Sequence, residues 1–255
     1  MSSERPDGSA VGEFVFAGLL VGVPSLRLKG DYLALVTLGF GPGTAHAWGH
    51  DPYSPSEYFY PAALDGAMVS DNAGGAVVVG STGYDLYANH LLADGSVDAT
   101  WNNSAYGRFI ATSLGTIWKA RIVSDGGTGY WVLWQSGYDG SSSPYSKLFA
   151  SHLLANGAIA PGVPVNGIPI APALTKACLN PSIAVDYLGN LGVAFQYDFS
   201  GNDTDNDIYA VRISKSTNAV SWMTAVATAT GQEKNPSAAF SDDGKFGVLY
   251  TNLTS

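Results

Sequence analysis

Leu86-Tyr-Ala-Asn-His-Leu-Leu92, followed by Asp94-Gly95, decides the fold, because a second copy of this stretch occurs further along the chain. The second copy is Leu148-Phe-Ala-Ser-His-Leu-Leu154, followed by Asn156-Gly157. Two shorter apolar stretches, separated by glycine-rich turns, precede each copy. Short apolar runs bounded by such turns are typical of β-strands. The sequence therefore contains a repeated unit that reads strand, turn, strand, turn, strand.

Further units repeat this pattern along the chain. Their matching stretches are Ala67–Asp71 with Ala76–Val79, Arg121–Asp125 with Tyr130–Trp134, Pro181–Asp186 with Leu191–Phe195 and Ile208–Ile213, and partial units at 24–36 and 236–250. Second strands such as Tyr130–Trp134 are apolar on both faces, which requires burial on both sides of the sheet. Sheets packed face to face provide that burial. The sequence predicts an all-β fold, a β-propeller of about five blades.

The two ends of the chain are expected to complete one blade together. The last unit stops after its second strand, and Phe14-Val-Phe-Ala-Gly-Leu-Leu-Val21 aligns with the third strand at 86–92. Pairing of N- and C-terminal strands would close the ring and protect its sheet edges. We therefore expect a flexible N-terminal tail over residues 1–12 and a single β-propeller domain over 13–255. A chain that is a fragment would leave the blade number open.

Composition narrows the classes of partner. The net charge of −9 opposes binding to nucleic acid, which needs clustered Lys and Arg. The longest apolar run, Phe14 to Val23, is too short to cross a bilayer, so we expect no membrane insertion. Cys178 is the only cysteine, which excludes an intrachain disulfide. No signal peptide is recognisable in the sequence. The composition is compatible with a secreted protein, a cell-surface protein or a component of a virus or phage particle. It is also compatible with a homo-oligomer or a larger assembly.

Two third strands carry a family resemblance. Tyr84-Asp-Leu-Tyr-Ala88 and Asn206-Asp-Ile-Tyr-Ala-Val-Arg212, each followed by a turn and a Trp, resemble repeats of bacterial β-propeller proteins of the sialidase-like and repeat-lectin kinds. The resemblance implies a propeller that binds glycans or proteins. Sialidases of this kind open with an Arg-Ile-Pro motif, which this chain lacks, and its glycine-containing turns that begin with Ser-Asp at Ser70, Ser124 and Ser241 lack the Thr-Trp of the sialidase Asp-box.

Candidate ligand-binding residues come from the repeat itself. Trp131 stands where the other units carry mostly small residues, so its indole either fills a gap in the core or projects into a groove. Gln135 and Gln196 end second strands beside aromatic residues, a combination suited to a sugar. His90 and His152 share one position of the repeat, as either a structural hydrogen bond or a ligand contact.

Acidic residues supply the candidates for metal binding and catalysis. Asp203, Asp205 and Asp207 alternate in Asn202-Asp-Thr-Asp-Asn-Asp207 and offer the oxygen ligands that Ca²⁺ prefers, although the EF-hand glycine and distal Glu are missing. Glycoside hydrolysis needs a pair of carboxylates. The residues that could contribute to such a pair, with no motif to mark them, are Asp31, Glu57, Asp65 and Glu233.

These observations predict a non-enzymatic recognition or structural propeller that binds a glycan or a protein partner. One alternative is a glycoside hydrolase, which would place two carboxylates opposite each other. Another is a pure scaffold component of a virus or phage particle, which would carry an extended apolar patch and no pocket.

Overall fold

The computed structural model describes residues 65–101, 104, 106–113, 115–137 and 146–253, all within one compact unit, Tyr32–Ser255. The described residues form strands and turns, with no helix and hence none that could cross a membrane. The strands are β1 Gly66–Ser70, β2 Ala76–Ser81, β3 Asp85–Leu91, β4 Arg108–Thr112, β5 Ile117–Ser124, β6 Tyr130–Ser136, β7 Lys147–Leu153, β8 Ile168–Pro169, β9 Cys178–Val185, β10 Leu191–Asp198, β11 Asn206–Ser214, β12 Ala219–Ala227, β13 Gln232–Phe240 and β14 Phe246–Leu253.

The strands form antiparallel meanders of four. β1 to β4 make the first sheet, β5 to β8 the second, and β9 to β12 pair in the same order in the third. The hairpin of β13 and β14 starts a further unit and joins the third sheet through one parallel pair, Asn206 with Gln232. Four-stranded antiparallel sheets of this kind are the blades of a β-propeller. The predicted all-β propeller class is confirmed.

Burial of the middle strands on both faces explains why the sheets pack on each other. Every residue of β6 is buried. Val132 and Trp134 belong to a core cluster shared with the first sheet, whereas Trp131 and Leu133 belong to a cluster shared with the third. Successive side chains of a strand point to opposite faces, so β6 contributes to both clusters. Full burial of each such side chain contributes roughly 1.5–3 kcal/mol.

The outer strands differ between the sheets. Trp222 lies in the fourth strand β12, whereas Trp101 lies in a turn before β4 and is fully buried. The fourth strand of the second sheet is only Ile168–Pro169, and it lies in a proline-rich stretch, where prolines cannot donate backbone hydrogen bonds. The predicted tail 1–12, the unit at 24–36 and the closing strand Phe14–Val21 lie outside the described residues.

Candidate functional site

In three units, an aspartate at the end of the first strand accepts hydrogen bonds from backbone amides of the following turn. One oxygen of Asp125 accepts hydrogen bonds from the backbone amides of Gly127 (2.8 Å) and Gly129 (3.1 Å), and the other lies 2.9 Å from Nε2 of His152. The same arrangement recurs in the pairs Asp71 with His90 and Asp186 with Arg212. Because Asp stabilises tight turns with its side chain, the third-strand partner ties each turn to its own sheet.

The two histidines that were predicted to bind a ligand already have hydrogen-bond partners within the protein. His90 lies 2.9 Å from both Asp71 and Asp98. Its burial favours the neutral imidazole, but the hydrogen bonds and charges of the two carboxylates outweigh this, so the pKa of His90 is raised. His152 is buried and joins Asp125 to Asn218. Both take the structural hydrogen-bonding role that the sequence left open.

Trp131 lies in the core. Its side chain has no exposed surface, and its ring stacks on His152 with centroids 4.3 Å apart. The indole nitrogen donates to the backbone oxygen of Gly189 at 2.9 Å. A buried indole with its N–H satisfied fills a gap between two sheets and offers no face to a sugar. Of the two alternatives, the structure gives Trp131 the core-filling one.

The two glutamines differ in their surroundings. Gln135 is buried, and its Oε1 has no hydrogen-bond partner in the described part of the chain. Gln196 is also buried but lies in a network, because it accepts from Asn180 (3.2 Å) and donates to Asn206 (2.9 Å) and Asp203 (3.4 Å). The structure thus joins two groups of predicted site residues, the glutamine and the acidic loop.

The acidic loop does not gather its three aspartates around one point. Asp203 pairs with Lys234 at 2.7 Å, and this hydrogen bond lowers the pKa of Asp203. Asp205 accepts a hydrogen bond from the backbone amide of Gly231, and Asp207 belongs to β11. Across the ranges that the structure describes, no group of three or more His, Cys, Asp or Glu side chains is arranged to hold a metal ion. Calcium binding by this loop stays a prediction.

A buried carboxylate pair lies beside this loop. The parallel pairing of Asn206 with Gln232 makes Asp207 and Glu233 the next residues of neighbouring strands. Asp207 is 7% exposed and Glu233 is 0% exposed. Neither carboxylate oxygen of Glu233 has a hydrogen-bond partner within the described ranges. Unpaired buried carboxylates are costly, which makes this pair a candidate for chemistry.

The surroundings of the pair raise the pKa of Asp207. Burial raises the pKa of Asp207, and the nearby charges of Asp205 and Glu233 raise it further. Asp205 is only partly buried, and residues 202–204 of the same loop are exposed. Glu233 was one of the candidate carboxylates that no sequence motif distinguished. The pairing of β11 with β13 shows that Asp207 lies beside it, which the sequence did not predict.

The sequence resembles known proteins only over a short segment. No family model matches the sequence. The high-affinity branched-chain amino acid transport system permease proteins LivM of Escherichia coli and Salmonella typhimurium are each 76% identical to the chain over 25 residues. That segment is 10% of this chain and 6% of each permease, so the chain spans a small fraction of these relatives.

Solved structures similar to the chain include an alpha-L-arabinanase, an endo-arabinase and an endo-1,4-beta-xylanase. An alpha-L-arabinanase of Penicillium chrysogenum, complexed with arabinobiose, is 12% identical with a TM-score of 0.49, covering 80% of this chain and 70% of its own. An endo-arabinase of Bacteroides thetaiotaomicron is 16% identical with a TM-score of 0.45, covering 73% and 68%. An endo-1,4-beta-xylanase of the same organism is 8% identical with a TM-score of 0.41, covering 72% and 64%.

These neighbours correct two expectations. The β-propeller class holds, but the neighbours are arabinanases and a xylanase and not sialidase-like or repeat-lectin proteins. The prediction of a non-enzymatic recognition or structural propeller is wrong on the same finding, because these neighbours are enzymes.

Proposed function

We propose that the chain is a glycoside hydrolase and that Asp207 and Glu233 form its carboxylate pair. The observation that carries the proposal is the burial of two adjacent carboxylates, one of which has no hydrogen-bond partner among the described residues. Glycoside hydrolysis needs one carboxyl group that is protonated and a second that is ionised. A raised pKa, which Asp207 has, suits a carboxyl group to the protonated role.

Asp207 is the general acid in this proposal. Its pKa is raised by burial and by the charges of Asp205 and Glu233, so it holds a proton at a pH where an ordinary aspartate has lost it. That proton passes to the oxygen of the glycosidic bond as the bond to the anomeric carbon breaks. Glu233 supplies the carboxylate that either takes a proton from the attacking water or attacks the anomeric carbon itself.

One charged pair beside the carboxylates is suited to contact a sugar. Lys234, whose side chain is 19% exposed, lies 2.7 Å from Asp203, whose side chain is 57% exposed. The buried amides of Gln196 and Asn206 donate to the other oxygen of Asp203 and so hold it in place. Charged groups are among those that fix sugar hydroxyls. In this proposal the sugar approaches from the side of the exposed loop 202–204 and the partly buried Asp205. A glycan is thus the proposed substrate, whereas a protein partner or an assembly stays a prediction.

The test is release of reducing sugar from a panel of soluble polysaccharides that includes linear arabinan and xylan. We expect Asp207→Asn and Glu233→Gln each to lower the rate by about 10²-fold or more, the usual contribution of a positioned acid or base. Asp94→Asn is the control, since Asp94 lies in an exposed turn. Circular dichroism checks the fold of each variant. Release from none of the polysaccharides by the unaltered chain, or full activity in folded Asp207→Asn, would overturn the proposal.

A further inference from the structure

One position recurs in three first strands and directly before the first strand β1, and each time it carries a polar or charged residue. The position lies six residues before the residue that ends the strand and begins the turn, which is Asp71, Asp125, Asp186 or Ser241. We call the four residues at this position the bulge row: Asp65, Lys119, Asn180 and Asn235.

The backbone of the bulge row is unusual. Lys119, Asn180 and Asn235 have positive φ angles of 53°, 49° and 54°. At each of them the register of the first strand shifts against its neighbour. A left-handed residue in a bulge re-aims its side chain, and for a lysine this conformation is disfavoured. Three repeats of the same strained geometry indicate that the direction of these side chains matters.

All three left-handed residues point away from the core. Lys119, Asn180 and Asn235 are exposed, and the residue that follows each of them is buried. The side chains of Lys119 and Asn235 have no hydrogen-bond partner within the ranges that the structure describes, and Asn180 retains its Oδ1. Trp118, next to Lys119, is 41% exposed. The row therefore offers unused donors and acceptors beside an aromatic ring.

The four residues belong to one surface because the first strands lie side by side. β5 packs between β1 and β9, and β9 packs against β13. The backbone amide of Lys119 donates directly to the carboxylate of Asp65, and the amide of Ala238 in β13 donates to Ser182 in β9 at 3.0 Å. Asn180 also donates to Gln196, which contacts Asp203 in the site described above. The row thus leads to the polar network beside the carboxylate pair.

We propose that the bulge row is the surface that holds the sugar units on either side of the bond to be cleaved. An ammonium, two amides and a carboxylate, spaced one strand apart, match the alternating hydroxyl donors and acceptors of a polysaccharide chain. Trp118 adds a face on which the C–H side of a sugar ring can stack. This inference rests on the proposed hydrolase function for the identity of the ligand.

The test measures binding separately from hydrolysis. In the Asp207→Asn background, affinity for the same polysaccharide panel is measured by retardation in native gels and by calorimetry. Lys119→Gly and Asn235→Gly remove the side chains, and glycine adopts positive φ without penalty, so thermal stability should be kept or raised. Each change should weaken binding by about tenfold, the effect of losing one charged or bidentate hydrogen bond.

Asn72→Gly is the matched control, since Asn72 is also exposed with a positive φ of 61° but lies at the opposite end of β1. Unchanged affinity in Lys119→Gly and Asn235→Gly, or no binding by the parent chain, overturns the role of the row. Hydrolysis by the unaltered chain is a separate readout. A hydrolase that binds equally well without the row refutes only the present inference, and a chain that binds through the row without hydrolysis refutes only the proposed function.

Discussion

The Nε2 atom of His90 lies 2.9 Å from the carboxylate of Asp71, and this contact ties the first turn of its sheet to the third strand. On the other side of the ring, Nδ1 lies 2.9 Å from Asp98. An imidazole between two carboxylates is stabilised as the cation. The fold therefore contains a group whose contribution to stability depends on pH near neutrality.

Replacing His90 by glutamine should destabilise the protein more at low pH than at high pH. Burial lowers the pKa of His90, but the hydrogen bonds and charges of Asp71 and Asp98 raise it by more. The contribution is thus fully present below the unfolded pKa of about 6.5 and is lost as pH rises through the folded value. Urea unfolding of both proteins from about pH 5.5 to about pH 9, a range that spans the titration of a histidine with a raised pKa, measures the difference. A difference that grows with pH would contradict this account.

Trp131→Phe should cost about 2–4 kcal/mol of unfolding free energy, because it leaves a cavity and removes a buried hydrogen bond. The indole is fully buried, stacks on His152 and donates to Gly189. Trp118→Phe is the matched control, since Trp118 is 41% exposed, and a change of about 0.5 kcal/mol or less is expected. Equal effects of the two changes in chemical denaturation would show that Trp131 is not a core residue.

Two glycines with nearly the same backbone angle should respond differently to alanine. Gly157 (φ +74°) would place a new methyl group 2.7 Å from the indole of Trp101, whereas Gly126 (φ +77°) has nothing within 4 Å. Gly126→Ala should lose about 1–2 kcal/mol from the left-handed conformation alone. Gly157→Ala should lose a further 1–3 kcal/mol or so from overpacking. Thermal unfolding of both variants measures the gap, and equal losses would mean that Trp101 does not pack there.

Much of the fold could be predicted from the sequence because the same apolar stretches recur. Ala76–Val79 and Leu86–Leu92 predicted β2 and β3 to within a few residues, since Asp and Gly mark the turns between them. The first strand of the second sheet was predicted to begin at Arg121 but begins at Ile117. The bulge at Lys119 hides this extension, because it breaks the alternation of apolar and polar residues.

The candidate site was harder to predict from the sequence, since it depends on contacts between strands that are far apart in the sequence. Trp131 stood out as an unusual position and His152 as a repeated one, but only the structure shows that their buried rings stack on each other. Asp207 was predicted as a metal ligand because it follows Asp203 and Asp205, whereas its neighbour Glu233 comes from another strand. One signal was missed: Asn-Pro-Ser occurs at both 180–182 and 235–237 and marks two positions of the bulge row.

The pH dependence of kcat/KM for polysaccharide hydrolysis tests the central claim, that Asp207 acts as a protonated acid. Activity should fall with rising pH as Asp207 loses its proton, at a pH above the ordinary aspartate range, because burial and then the charges of Asp205 and Glu233 raise its pKa. Asp205→Asn removes one of those charges, so the fall in activity should move to lower pH. An unchanged profile in Asp205→Asn, or one shifted to higher pH, would contradict the account.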